Sequence, residues 1–317
     1  MHPAPDSPSP YVCVIGGSNI DIEGYPRKQL LPGDSNPGIV RTSLGGVGRN
    51  IAENLTRLGI PTTFLSVVGD DVPGQRILDH ARSIGLDMEH ALIVDEPTST
   101  YLAVLDATRE MFVGIAHMDI LQRLDIPYIQ RHANLIQNAA FCIVDTNLPD
   151  VLEHLVTTYD VPFILDTVSA NKAIKAQPFL GRFHTVKSNR LEAQILSGMT
   201  IRTTHDLQKA GRYFLDQGVG NVFITLGAEG VYYKTPDAEG ILTSPSVEMV
   251  SATGAGDAFA AGLVSGLYRD KGVEEALRFA MGASIMAILS DETIHPLISS
   301  ERVETLIRDL DFTHQKL

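Results

Sequence analysis

Ser251-Ala-Thr-Gly-Ala-Gly-Asp257 runs directly into Ala258-Phe-Ala-Ala-Gly-Leu-Val-Ser-Gly-Leu267, an apolar segment typical of a buried helix. The small residues allow the backbone N–H groups of residues 254–256 to converge at the start of that helix, where the positive end of its dipole also points. This arrangement can bind an anion, and Asp257 adds a carboxylate that can accept a proton. The stretch therefore indicates transfer of a charged group to a hydroxyl, unless it is only a glycine-rich turn before a core helix.

The length and charge of the chain restrict its class. Its 317 residues can form one large α/β domain with a small appendage. The formal net charge of −13, with no run among the 25 Lys and Arg residues, argues against a nucleic-acid or anionic-membrane surface. No uncharged apolar stretch approaches the roughly 20 residues of a membrane span. Because the Lys and Arg residues form no run, we expect any bound phosphate to be held by local backbone amides.

The first ten residues and the cysteines indicate where the protein resides. Residues 1–10 are rich in proline and lack a basic start followed by an apolar stretch, so we expect a disordered leader and not a signal peptide. Cys13 and Cys142 each lie in an apolar run typical of a buried strand, which predicts reduced core thiols and no disulfide. These features predict a cytoplasmic protein.

Strand and helix patterns alternate along the chain, which predicts a mostly parallel sheet covered by helices on both faces. We expect strands at 11–15, 64–68, 140–144, 162–165, 184–186 and 221–225, and helices after Pro73 and Pro149 and near 189–196, 203–217, 274–290 and 300–310. Polar residues follow several of these strands: Asp145, Asn147, Asp166, Lys187, Asn189 and Thr225. Because the carboxyl ends of parallel strands meet at one edge of a sheet, we expect these residues to line the active face.

Two segments are too irregular for the main sheet. Residues 20–44 combine prolines and glycines with a β-prone stretch, and residues 98–117 have the pattern of a hairpin with a turn at 107–110. We expect them to pair into a small separate sheet that acts as a lid. Between them, the glycines of residues 45–50 precede a helix over 50–58, where Asn50 can bind a hydroxyl.

Two further patterns suit a phosphorylated ligand and a metal. Asn189 and Glu192 lie one helical turn apart on the same face. A carboxylate near a phosphate pocket suits a hydrated Mg²⁺, which takes few protein ligands, although a solvated helix start gives the same pattern. Thr225-Leu-Gly227 and Gly230 indicate a bend where a nucleotide can pass close to the backbone.

The sequence offers candidates for sugar recognition, but it lacks the motifs of a histidine metal site, a serine hydrolase and a dinucleotide-binding enzyme. Asp21 and Asn50 are candidates for binding vicinal hydroxyls, since a carboxylate can accept from two O–H groups. The ten histidines show no metal-binding spacing, and Gly-x-Ser-x-Gly does not occur. Gly16-Gly17 lacks the third glycine of a dinucleotide fingerprint, which argues against a hydride-transferring dehydrogenase.

Four stretches, in order along the chain, resemble the motifs of the ribokinase-like (PfkB) carbohydrate kinases. They are Gly45-Gly-Val-Gly-Arg-Asn-Ile-Ala-Glu-Asn-Leu55, Asn189-Arg-Leu-Glu192, Thr225-Leu-Gly-Ala-Glu-Gly230 and Thr253-Gly-Ala-Gly-Asp-Ala-Phe-Ala-Ala-Gly262. The resemblance covers nearly the whole chain after the leader. It implies a ribokinase-like α/β fold, ATP-dependent phosphorylation of a hydroxymethyl group, and a β-lid that often forms a dimer interface, hence a homodimer.

The resemblance also implies roles for individual residues. Asp257 resembles the catalytic base, and the anion hole is formed by Gly254, Ala255 and Gly256. The pair that organises Mg²⁺ through water is matched by Asn189 and Glu192. ATP-binding positions are matched by Lys187, Asn189, Thr225, Gly227, Gly230, Gly254 and Gly256. Substrate-binding positions are matched by Asn19, Asp21, Gly45, Gly46, Asn50 and Asn147.

One position departs from the family pattern. Many relatives have Asp or Asn where this chain has Ser251, close to a monovalent-cation site beside the anion hole. Ser251 and Thr253 are therefore the candidate residues for a K⁺ site, but a serine supplies no charge there. The resemblance leaves activation by K⁺ open.

Within the family, residues 17–21, 34–38, 45–50 and 168–170 are most similar to members that phosphorylate the nucleoside pseudouridine, which implies that substrate. Residues 34–38 lie in the expected lid, so we predict that the uracil is read or covered by Ser35, Asn36, Thr100 and Tyr101. The alternatives are another nucleoside or sugar kinase of the family, such as a ribokinase, an inosine or adenosine kinase or a fructokinase. From a different class, a non-catalytic sugar or nucleotide sensor is the alternative.

Overall fold

The structure is a computed structural model that describes residues 9–108 and 110–317. The first eight residues of the expected leader and Arg109 of the expected turn lie outside the described residues. The strands are β1 (Val12–Ile15), β2 (Asn19–Pro26), β3 (Gly38–Gly45), β4 (Thr62–Leu65), β5 (Val67–Gly69), β6 (Leu92–Val94), β7 (Thr100–Leu105), β8 (Met111–His117), β9 (Phe141–Asp145), β10 (Phe163–Asp166), β11 (Thr185–Asn189), β12 (Asn221–Thr225), β13 (Val231–Lys234), β14 (Glu239–Thr243) and β15 (Thr313–Lys316).

Helices connect most of these strands. They are α1 (Val47–Arg57), α2 (Val72–Ile84), α3 (Ile126–Arg131), α4 (Ala133–Gln137), α5 (Pro149–Thr158), α6 (Ala170–Ala173), α7 (Arg190–Ser197), α8 (Thr204–Asp216), α9 (Ala255–Tyr268), α10 (Val273–Ile288) and α11 (Ser300–Arg308). Short 3₁₀ helices lie at Asp119–Arg123, Ile174–Arg182 and Gly227–Glu229. No helix in residues 9–108 or 110–317 combines the length and apolar character needed to cross a bilayer.

The main sheet has nine strands in the order β15-β14-β13-β12-β11-β10-β9-β1-β4. The six strands from β12 to β4 in this order run parallel, which confirms the expected parallel sheet. The antiparallel strands β13, β14 and β15 extend one edge. The carboxyl ends of the parallel strands therefore share one edge, where ligands bind in sheets of this kind.

Both faces of the sheet are buried, as a parallel sheet requires. Along β1, Val12 and Val14 pack in a cluster with α1, α9 and α10, whereas Cys13 and Ile15 pack on the opposite face. Cys142 of β9 lies directly opposite Cys13 and is also buried; both thiols are free. The expectation of reduced core cysteines is confirmed.

The single strand expected at 64–68 was wrong, because the chain changes sheets at Ser66. β4 ends at Leu65 and pairs with β1, whereas β5 begins at Val67 and pairs with β6 in a separate two-stranded sheet. The Ser66 side chain is buried and its Oγ forms a 2.8 Å hydrogen bond with Ser18 Oγ. This bond lies at the point where the chain leaves the main sheet.

The small separate sheet is confirmed. Its strands lie in the order β3-β2-β7-β8, so the two irregular segments pair with each other through the parallel contact of β2 with β7. Across this sheet, Asp21, Ser43, Tyr101 and Ala116 occupy one row of directly opposed residues. Side chains in such a row point to the same face, so Tyr101 shares the face of Asp21.

Candidate active site

Charged residues form a row across three strands at the carboxyl edge of the main sheet. In the strand register, Asp145 of β9 lies opposite Asp166 of β10, and Asp166 lies opposite Lys187 of β11. Asn189 lies opposite Thr225 in the same way. The expected gathering of polar side chains at this edge is confirmed, because parallel strands carry their ends to one side.

Lys187 and Asp166 form a buried ion pair within that row. Lys187 Nζ donates to Asp166 Oδ2 at 2.9 Å, and both residues are less than a tenth exposed. Burial acts to lower the pKa of Lys187, but the charges of Asp166, Asp257 and Glu192 hold that pKa above its ordinary value. The ammonium group therefore remains charged next to the start of α9, where a β-carbon at Gly256 would lie 3.3 Å from Nζ.

α9 begins with the geometry of an anion site. Gly254 precedes the helix with φ of 78°, a left-handed conformation, and a β-carbon there would overlap the Thr293 carbonyl oxygen. The N–H groups of the first turn have no carbonyl four residues earlier to bind. Of the three amides expected to converge, that of Ala255 donates weakly, at 3.4 Å, to the Ala252 carbonyl. Gly256 lies in the first helical turn beside the Lys187 ammonium.

Asp257 lies in this first turn and is held by a residue distant in sequence. Asn50 Nδ2, from α1, donates to Asp257 Oδ2 at 2.8 Å. Burial raises the pKa of Asp257 to about 7, with a further contribution from Asp166, against the opposing effects of Asn50 and Lys187. A carboxyl group with this pKa can accept and release a proton near neutral pH.

Arg49 fixes the orientation of Asn50, a role that we had not predicted. Arg49 Nη1 donates to Asn50 Oδ1 at 3.0 Å, which leaves the Asn50 amide nitrogen to face Asp257. Arg49 is 5% exposed and also forms an ion pair with Glu53 one turn further along α1. A buried arginine requires such partners. The signal in the sequence that could have revealed the role of Arg49 is the spacing of Arg49 and Glu53, which are four residues apart on one helix.

Asp21 and the glycines near it form a second group of expected site residues. Asn19 Nδ2 donates to Asp21 Oδ1 at 2.6 Å, and burial raises the pKa of Asp21. A β-carbon at Gly45 would overlap the Asp21 carboxylate, so a larger residue there would displace that carboxylate. Gly46 has φ of 102°, and its backbone packs closely on Gly17.

Asn189 and Glu192 form a capping box at the start of α7, where Asn189 is exposed and Glu192 is buried. Asn189 Oδ1 accepts from the Glu192 N–H at 2.9 Å, and Glu192 Oε2 accepts from the Asn189 N–H at 2.8 Å. Glu192 also accepts from the Thr167 hydroxyl and is 5% exposed. Within the described residues, no three acidic, His or Cys side chains cluster to hold a metal directly.

The expected ATP loop follows β12. Thr225 Oγ1 donates to the Ser188 carbonyl at 3.4 Å. Gly227 and Gly230 have φ of 62° and 97°, and a β-carbon at Gly230 would overlap the Leu242 carbonyl oxygen. These left-handed conformations favour glycine and bring the bend back toward β14.

The residues predicted to read a base are not all brought together. Asn36 is used inside its own turn: its Oδ1 accepts from the Leu31 N–H at 2.8 Å and its Nδ2 donates to the Leu31 and Asp34 carbonyls. Ser35 lies in the same exposed turn. Thr100 is adjacent to Tyr101 on β7 and therefore faces the opposite side from Asp21. Of the four, the structure places Tyr101 on the face of Asp21.

Three other expected site residues are engaged with neighbours. Asn147 Oδ1 accepts from Lys172 Nζ, and the Asn147 N–H donates to Asp145 Oδ1 at 2.7 Å. Ser251 Oγ accepts from the Thr253 N–H at 3.2 Å. The Ser251 hydroxyl thus closes a local turn, and a K⁺ site at these two residues remains a prediction.

The comparisons with known proteins agree with this geometry. Residues 9–300 match the pfkB family of carbohydrate kinases, and the chain belongs to that family. It is 38% identical to pseudouridine kinase of Escherichia coli K12 over 95% of this chain and 97% of that protein. It is 33% identical to an uncharacterized sugar kinase of the same strain, over 94% of this chain and 83% of that protein. A crystal structure from Clostridium perfringens matches with a TM-score of 0.90 and 37% identity, over 98% of this chain and 99% of that chain.

The chain is therefore a kinase that transfers a phosphoryl group to a hydroxyl of a sugar or nucleoside. Kinases of this family use ATP and a divalent metal ion. The start of α9, with Asp257, Asn50 and Lys187 beside it, is the part of the molecule whose chemistry suits that transfer.

Proposed function

We propose that the protein is a pseudouridine kinase, which transfers the γ-phosphoryl group of ATP to the 5′-hydroxyl of pseudouridine to give pseudouridine 5′-phosphate and ADP. The observation that carries the reaction is the placement of Asp257 at the start of α9, hydrogen-bonded to Asn50 and close to Lys187. The substrate is supported by the 38% identity to pseudouridine kinase of Escherichia coli across both chains and by residues 17–21, 34–38, 45–50 and 168–170.

In this mechanism Asp257 is the general base. It accepts the proton of the 5′-hydroxyl as that oxygen attacks the γ-phosphorus and the bond to the bridging oxygen of ADP breaks. The Asn50 amide holds the carboxylate in place. The amides at Gly254, Ala255 and Gly256, with the Lys187 ammonium next to them, stabilise the negative charge on the transferred group.

The other roles follow the positions of the expected residues. Asp21 and Asn50 bind the ribose hydroxyls, with Asn19, Gly45 and Gly46 shaping that side of the site. Thr225, Gly227 and Gly230 lie along the phosphates and ribose of ATP, next to Asn189 in the strand register.

A hydrated Mg²⁺ fits the residues present. The oxygens of Asn189 and Glu192 are engaged in the capping box, so the pair can act on the ion through its water ligands and not by direct coordination. Mg²⁺ keeps several waters in most protein sites. When bound with ATP, the ion neutralises charge on the phosphates.

We also propose that the small sheet closes over the substrate and pairs two chains into a homodimer. On the face opposite Asp21, Val40, Val113 and Ile115 are 70%, 44% and 59% exposed. Exposed apolar side chains on one face of a sheet suit contact with a second protein surface. Closure is supported by the need to exclude water during phosphoryl transfer. The location in the cytoplasm remains a prediction.

The pH dependence of turnover tests the role of Asp257. The unprotonated carboxylate is the active form, and its pKa lies at about 7. We therefore expect kcat to be level above that pH and to fall about tenfold for each pH unit below it. Steady-state rates between pH 5 and 9 check this, with stability monitored at each pH. A flat profile down to pH 5 would assign the proton to another group.

The proposed function is tested by ADP release with Mg-ATP and a panel of pseudouridine, uridine, inosine, adenosine, ribose and fructose. We expect pseudouridine to have the highest kcat/KM and an Asp257→Ala variant to be inactive on it. Preference for another member would keep the reaction and change the substrate. Silence of the wild-type protein across the panel would favour an untested substrate or the non-catalytic sensor.

A further inference from the structure

A cleft of about 560 Å³ opens beside the candidate active site, between the end of the small sheet and helices α5 and α6. It is lined by residues of both parts, among them Ala116, Leu121, Asn147, Leu148, Lys172 and Lys175. Among these residues, Asn147 is an expected substrate-binding position, and none has a role in the mechanism above. Its volume lies in the range of clefts that hold small ligands.

The cleft is continuous with the substrate side of the site. Ala116 lies opposite Tyr101 in the small sheet, and Tyr101 lies opposite Asp21, so one row of side chains leads from the sugar-binding side into the cleft. On the main domain, Asn147 is tied to Asp145 at the carboxyl edge of the sheet. Leu121 of the cleft lining packs against the chain just after β1, since its side chain lies 3.1 Å from where a β-carbon on Gly17 would be.

Lys172 is the charged group at the junction. Its Nζ donates to Asn147 Oδ1, and the residue is half-buried. Burial lowers the pKa of Lys172, whereas the charge of Asp145 opposes that change. An ammonium group has three N–H donors, so Lys172 can contact Asn147 and still donate into the cleft.

The lining suits a flat, neutral ring that carries hydrogen-bonding groups. Leu121, Leu148 and Val151 supply apolar walls. Charged residues of both signs line the cleft, namely Lys172, Lys175, Asp119 and Asp125. The two carboxylates disfavour a phosphate, whereas a ring with carbonyl and N–H groups can pair with both signs.

From these contacts we infer that the cleft holds the base of the nucleoside and that Lys172 donates a hydrogen bond to a ring carbonyl. The inference rests on the proposed function and moves recognition of the base from the turn at Asn36 to the main domain. A base without a carbonyl at this position would leave the Lys172 N–H without a partner and would bind more weakly. Lys172 is therefore a specificity-determining residue.

The test compares Lys172→Met with Lys209→Met, since Lys172 lines the cleft and contacts Asn147 whereas Lys209 is exposed on α8. Calorimetry gives the Kd of each variant for pseudouridine and for 1,4-anhydroribitol, which is the same sugar without a base. Loss of a charge-assisted hydrogen bond predicts about ten- to hundredfold weaker binding of pseudouridine to Lys172→Met. Binding of the base-free sugar should stay within about threefold, because the Asn147 N–H still anchors that residue to Asp145. Lys209→Met, at an exposed position on α8 outside the cleft, should match the wild type for both ligands.

A second variant guards against a folding defect and separates the outcomes. Lys172→Arg keeps a charged donor and should recover part of the affinity for pseudouridine. If Lys172→Met lost affinity equally for both ligands, Lys172 would only position Asn147; if it lost none, the base would lie elsewhere. Either result overturns the inference. The proposed function would still stand in both cases if the wild type turns over pseudouridine. If the wild type prefers another nucleoside, the proposed substrate fails and the same comparison is made with that nucleoside. Turnover of base-free sugars alone overturns both.

Discussion

An Asp257→Asn variant is expected to lose about 10²–10⁴-fold in kcat, the range that positioned general bases contribute. The amide cannot accept the proton of the attacking hydroxyl, but it keeps the shape of the side chain and an oxygen for the Asn50 amide. The affinity for Mg-ATP should change little, because the carboxylate acts on the acceptor hydroxyl. Steady-state kinetics and calorimetric ATP binding check the two halves of this prediction.

The same variant should not be less stable than the wild type. The pKa of Asp257 is raised in the folded state, so its ionised form is disfavoured there relative to the unfolded chain above about pH 7. A neutral side chain removes that cost, and we expect an equal or higher thermal midpoint at pH 8. Asp216→Asn, at an exposed position on α8, is the control. Turnover near the wild-type level in Asp257→Asn would contradict the assignment of the base.

The second large effect is expected from Lys187→Met. Asp166 would be left buried without its cation, and breaking a buried ion pair by removing one partner typically costs about 3–5 kcal/mol. The free energy of unfolding from urea titrations should fall by that amount. Turnover should fall as well, because the positive charge beside Gly256 is lost.

Two further variants control this result. Arg82→Met removes an exposed ion pair with Asp79 and should cost about 1 kcal/mol or less. The double variant Lys187→Met/Asp166→Asn removes both buried charges and should recover most of the stability without recovering turnover. If the single variant unfolded at the same urea concentration as the wild type, the ion pair would contribute nothing to the fold.

Much of the site was predictable because it depends on sequence-local geometry. Parallel strands bring their carboxyl ends to one edge, so the row from Asp145 to Lys187 followed from the strand pattern alone. The small residues before Asp257 likewise predicted the start of a helix, and α9 begins at Ala255. The small sheet followed from β-prone segments that the main sheet could not accommodate.

Other features depend on contacts between distant parts of the chain. The hydrogen bond of Asn50 to Asp257 joins residues 207 positions apart, and neither local pattern specifies it. The bend at Ser66 was missed because apolar residues on both sides read as one strand. The antiparallel edge formed by β13, β14 and β15 was also missed. The prediction relied on strands that alternate with helices, but no helix separates β13 from β14, and β15 pairs with β14 from a distant part of the chain.

Two predictions about the base could have been refined from the sequence. Neighbouring residues of a strand face opposite sides, so Thr100 and Tyr101 could not both have faced the substrate. Asparagine in a turn commonly binds its own backbone, as Asn36 does. Lys172 carries no motif, and its position is known only from its contact with Asn147.

The most direct test of the central claim is the identity of the product formed from pseudouridine and Mg-ATP. Phosphorus NMR with proton coupling, supported by mass spectrometry, locates the phosphate on the ribose. We predict a single product in which phosphorus couples to the two 5′ protons, formed with one equivalent of ADP and absent with Asp257→Ala. Phosphate on another hydroxyl, or ADP formed without a phosphorylated nucleoside, would contradict the proposed function.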